Sequence, residues 1–109
     1  VRVKNVDTLI QDLQKTIAAL ETLGDNPATA GEQIDELLDQ LFQQKIDLVG
    51  LAPNAASQPY QQAALAMKQA AAKAQRAAKE PARLGEAEHA VAEAIAKLAK
   101  LLDGAAPLH

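Results

Sequence analysis

Cysteine is absent from this chain, which removes disulfide frameworks, thiolate zinc sites and thiol nucleophiles together and suits either a reducing or an oxidising compartment. Tryptophan is absent too, and the aromatic residues are one Phe and one Tyr in 109 residues. That is too few to wall an aromatic pocket, or to interleave with basic residues as a base-stacking nucleic-acid surface requires. Positive charge is in the minority: 11 Lys and Arg against 14 Asp and Glu leave a net charge of −3. Such a balance gives no broad positive field to attract nucleic acid or an anionic membrane. Apolar runs are only a few residues long, far short of the roughly 20 that span a bilayer. The opening Val1 to Asn5 holds no apolar signal core. A start at Val1 rather than Met points to a removed initiator, a shed signal or a longer parent chain. The expectation is a soluble protein, with the cytoplasm preferred.

Catalytic vocabulary is equally sparse. Ser57 is the sole serine, and its place before a proline-started helix is explained by capping. No Gly-rich loop has phosphate-cradle spacing, and the acidic residues fall on polar helix faces, where solvated carboxylates are expected. The chain is therefore expected to be non-enzymatic, with no cofactor and no small-molecule substrate.

What the chain has is helical periodicity. Val3, Val6, Ile10, Leu13, Ile17 and Leu20 alternate spacings of three and four, as an a/d seam requires, with Leu9 and Leu23 widening the stripe. Gly24 reads as a left-handed cap, followed by a turn at Asp25-Asn26-Pro27. Thr29 and Glu32 have capping-box spacing, so a second helix should begin there. Its broad apolar face comprises Ile34, Leu37, Leu38, Leu41, Phe42, Ile46, Leu48 and Val49, interrupted by Gln44 and Lys45, with a Schellman ending at Gly50-Leu51. Ser57 and Pro59 open a third, Ala-rich helix. Glu80-Pro81 and Gly85 break the chain before a fourth, which carries Leu84, Ala87 or Glu88, Val91, Ile95, Leu98 and Leu102 and ends at Asp103-Gly104 ahead of a frayed tail. The fold expected is all-α, an antiparallel up-down four-helix bundle with helices near 5–23, 30–49, 58–79 and 84–103, forming a single domain over 1–109.

The two halves differ. Of the Leu, Ile and Val residues, 17 lie in positions 1–51 and eight after, whereas 18 of the 25 Ala follow position 60. Large side chains of the first hairpin should pack into small ones of the second, and the first two helices should dominate core stability. Charge is segregated too: the stretch from Gly31 to Gly50 sums to −4 and that from Ser57 to Glu80 to +3. An antiparallel pair turning near Asn54 would set Glu32 level with Arg76, Glu36 with Lys73 and Asp39 with Lys68, selecting neighbours more than holding them.

These patterns point to a protein-interaction or assembly module, possible partners being another protein or a second copy. The candidate contact residues are Tyr60, Ala64, Met67, Ala71, Ala74 and Ala78 on the Ala-rich third helix, a face thin enough to leave room for a partner helix. One alternative is an amphipathic, lipid- or surface-associated protein, against which the weak Ala face and missing Trp both argue. Another is a metal-binding bundle at Glu86, His89 and Glu93, where a Glu-x-x-His spacing places three side chains on one face. A di-metal site would need a second such element, and the sequence has one.

Overall fold

A computed structural model describes residues 4–50 and 57–104, and the side chains among them from Thr8 onward. It consists of four helices, α1 (Lys4–Asp25), α2 (Glu32–Val49), α3 (Gln58–Lys79) and α4 (Leu84–Gly104), with a 3-10 turn at Pro81–Arg83 leading into α4. No strand occurs among the described residues. The molecule is rod-like, 43 × 22 × 18 Å, and the all-α bundle anticipated from periodicity is what forms.

Packing runs in a ring. α1 lies against α2 and α3, α4 lies against the same two helices, and α2 and α3 face each other across a diagonal. Direction follows from local contacts. The end of α1 meets the start of α2, where a Cβ on Gly24 would sit 3.8 Å from Ile34 Cγ2. Further up, Lys15, Ala18, Ala19 and Thr22 share a groove with Gln75, Ala78 and Lys79, while Thr16 Oγ1 lies 3.6 Å from Met67 Sδ, so α1 and α3 run parallel. Likewise Gln44 Nε2 donates to the Ile95 carbonyl at 2.9 Å, and Ile46, Asp47 and Gly50 meet Leu102 and Asp103, so α2 and α4 are parallel. The bundle is thus two antiparallel hairpins laid side by side, with like helices adjacent.

This ring order corrects the expectation that α2 and α3 pair. Glu32, Glu36 and Asp39 do not face Arg76, Lys73 and Lys68 within one molecule, and the ion pairs among the described residues are both made by Arg83. The reason is steric. Large side chains on α1, Leu9, Leu13, Leu20 and Leu23, need small neighbours, and the buried Ala63, Ala70, Ala74 and Ala77 of α3 supply them. Ala87, Ala90 and Ala94 of α4 are buried as well, which allows α3 and α4 to approach closely. Exposed charge pairs, worth about 0–1 kcal/mol each, do not compete with that burial.

Seams and caps are also re-registered. On α1 the sealed positions are Leu9, Leu13, Thr16, Leu20 and Leu23, with Ile10 half-buried at the flank. Val3 and Val6, assigned to the seam from spacing, lie outside the described side chains. Thr16 can occupy the seam because its hydroxyl donates to the Asp12 carbonyl at 2.8 Å. On α4 the last fully sealed residue is Leu101, with Leu102 half-buried. No glycine among the described residues has a positive φ, so neither Gly24 nor Gly50 is a left-handed cap; Gly50 sits at φ −85°, ψ −2°. Thr29 does not cap α2, whose N-cap is Gly31 with no side-chain bond. Its hydroxyl turns back to donate to the Leu23 carbonyl at 2.6 Å and so closes the end of α1. Ser57 does cap α3, accepting from the Tyr60 amide at 3.3 Å. The back-folding of Leu51, the turn near Asn54 and the tail from Ala105 lie outside the described residues.

Candidate functional site

The six contact residues proposed on α3 divide by burial. Tyr60, Met67, Ala71 and Ala74 are sealed inside the core, and Ala64 and Ala78 are half-buried against it. Their face is filled by α1 and α4. The open apolar surface lies on the first hairpin instead, on α2.

α2 carries two apolar stripes. The first, Ile34, Leu37, Leu41, Gln44 and Leu48, is the core seam. The second consists of Leu38, half-buried, followed by Phe42, Ile46 and Val49, which are 42%, 66% and 64% exposed. At about 100° per residue the second stripe is centred roughly a third of a turn from the first. Gln44, at one edge of the seam, donates to α4, and the open stripe begins beyond the opposite edge, with Ile46 bordering Leu102 and Asp103 at the end of α4. Phe42, Lys45, Ile46 and Val49 together line a shallow, almost wholly apolar hollow. The charged side chain in that lining is Lys45, and exposed Asp35, Asp39 and Asp47 lie elsewhere along α2.

A helix that needed burial on one face alone would carry polar residues here. Phe42, Ile46 and Val49 are gathered in one hollow rather than scattered singly over the surface. Leu65 of α3, 59% exposed, is the other large open hydrophobic among the described residues; exposed Lys68 lies one turn on, and exposed Arg76 and Lys79 follow about 16 and 21 Å along the helix from Leu65.

The proposed metal residues do not converge. Glu86, His89 and Glu93 are separate exposed or solvent-facing side chains on α4, and no group of three His, Asp or Glu among the described residues is arranged to hold an ion. Glu86 instead lies 3.7 Å from Arg83, which also donates to Glu80 at 2.9 Å. The hydrogen bond to Glu80, then the charges of Glu80 and Glu86, raise the Arg83 pKa and keep its guanidinium charged across the α3–α4 connection. No described helix is long and apolar enough to cross a membrane.

Reading the α2 surface from sequence was possible in principle. Spacings of 34, 37, 41, 44 and 48 define a complete a/d seam, which leaves 38, 42, 46 and 49 as surplus. The surplus is masked in the sequence because the seam position Gln44 is polar, so the two stripes look like one broad, interrupted face. Compared with known proteins, the chain matches no family model, no curated protein and no solved structure.

Proposed function

We propose that this chain is a non-catalytic protein-interaction module that docks a helical partner on the outer stripe of α2. The observation that carries the reading is the exposure of Phe42, Ile46 and Val49 along one flank of a helix whose other flank already completes the core. A partner suited to this face is an amphipathic helix: its apolar positions, at spacings of three and four, fill the hollow, and basic residues beside them meet Asp35, Asp39 and Asp47. Burial of three large side chains at roughly 1.5–3 kcal/mol apiece is offset by the entropy of association, so recognition is modest in affinity and reversible.

A labelled synthetic helix of about three heptads with a Leu seam and Lys flanks is the probe. Saturable binding by fluorescence anisotropy is expected, with about tenfold weakening by Phe42→Ser or Ile46→Ser while the circular dichroism spectrum stays unchanged. A peptide of the same composition with its leucines moved off the seam serves as control. Equal binding of both peptides, or binding indifferent to Phe42 and Ile46, rules the reading out.

A further inference from the structure

We infer that the partner helix is α3 of a second copy of this chain, joined head to tail; this rests on the α2 stripe being a docking face. Among the described residues the large open hydrophobics are Phe42, Ile46 and Val49 in one hollow on α2, and Leu65 standing alone on α3. One surface is a socket and the other a knob. Their surroundings are opposite in sign: α2 carries Glu32, Asp35, Glu36, Asp39 and Asp47 against Lys45, whereas α3 carries Lys68, Lys73, Arg76 and Lys79 and no acid. Within one molecule the two helices sit across the diagonal and cannot meet, so the complementarity is left for another copy to satisfy.

Register supports the match along the helices as well. With Leu65 seated opposite Ile46 and the helices antiparallel, eleven residues of each helix, about 16 Å, separate that contact from Arg76 beside Asp35. In the same alignment Ala72 and Lys73 run beside Asp39, and Lys79 beside Glu32. Small, exposed Ala72 lets the two helices approach between the knob and the ion pairs.

A symmetric contact of α2 on α2 would bury the same hydrophobics, but it would bring two acidic helices together, and like charges in register oppose it. Because socket and knob occupy opposite corners of the bundle, each molecule can use both at once. Such a contact is heterologous and propagates sideways as an open row unless the rotation at each step closes a ring. A single helix-on-helix contact falls at the low end of specific interfaces, which run above about 1,200 Å², so the row assembles reversibly and only at high concentration.

Sedimentation velocity on the full chain, from micromolar to millimolar, tests the inference. Wild-type protein is expected to show mass rising with concentration, with about tenfold weaker association on moving from low to high salt. Ile46→Ser, which blunts the socket, and Leu65→Ser, which removes the knob, should each weaken association by about tenfold or more. Mixed together, the two variants should form a 1:1 dimer that grows no further, since one retains its knob and the other its socket. Misfolding of either variant cannot produce that species. A Leu65→Ser protein that associates like wild type, or a mixture that stays monomeric, overturns the head-to-tail contact. Wild type that is monomeric throughout also overturns it. Binding of the Lys-flanked synthetic helix to that monomeric protein would then leave the docking reading standing with a different partner, and its failure would remove both.

Discussion

Two buried threonines show how little residue type alone says about worth. The Thr16 hydroxyl donates to the Asp12 carbonyl, which in an α-helix already accepts the amide four residues on, so its bond satisfies the hydroxyl and adds little else. The Thr29 hydroxyl reaches the Leu23 carbonyl at 2.6 Å in the last turn of α1, where Pro27 offers no amide four residues on and the Asn26 amide makes only a long bond of 3.3 Å. Thr16→Val should therefore leave the urea midpoint almost unchanged, whereas Thr29→Val, with the same loss of one oxygen, should cost about 1 kcal/mol. Gln44 is another buried polar residue, beside the threonines and Asp12. Its Nε2 is bonded to the Ile95 carbonyl but its Oε1 is buried without a partner. Gln44→Leu removes that orphan and should stabilise the fold by about 1 kcal/mol, while Gln44→Ala opens a cavity and should destabilise it by a similar amount. Equal losses from both variants in urea titrations would mean the Gln44 bond outweighs its unpaired oxygen. None of this was legible in the sequence, because a buried polar side chain is licensed by a partner that spacing does not reveal.

At the scale of elements, the four helices and their approximate bounds were legible, because long runs of period 3.6 and strong breakers at Pro27, Pro53 and Pro81 admit few alternatives. Caps were not. Gly24 and Gly50 look like left-handed stops, yet α1 runs through Gly24 to Asp25, held by the bonds that Thr29 and the Asn26 turn make to its end. The thin Ala face of α3 leaves no room for a partner helix, because it is packed closely by α1 and α4: Ala contributes little area itself and lets others come close. That closeness sets a prediction. Ala70→Leu or Ala74→Leu adds three carbons at positions with no exposure, and should cost about 1–3 kcal/mol or more by overpacking. Ala72→Leu, on the exposed side of the same helix, should fall within about 0.5 kcal/mol of wild type. Thermal melts of the three variants separate a close-packed α3 from one that merely lies on the bundle, for which all three would behave alike.

For the whole molecule, the order of helices around the ring is what sequence could not supply. Charge segregation suggested that α2 and α3 are neighbours, and the suggestion failed because weak exposed ion pairs do not outrank the fit of Leu against Ala that brings α3 to α1. Hydrophobic periodicity marks which face of each helix turns inward and not which helix lies beside it. The absence of native cysteine makes the distinction measurable, since any introduced pair reacts without interference. Thr22→Cys with Ala78→Cys places thiols in the groove shared by α1 and α3, and a short bis-maleimide should join them within one molecule at low concentration. Glu32→Cys with Arg76→Cys, on helices across the diagonal, should resist the same reagent in dilute protein. In concentrated protein the second pair should instead yield links between molecules, because the head-to-tail contact sets those regions of α2 and α3 side by side. Efficient intramolecular linkage of Glu32→Cys with Arg76→Cys would require α2 and α3 to be neighbours. Their opposite charges would then already be matched inside one bundle, and the reason for a second copy to supply the match would be gone.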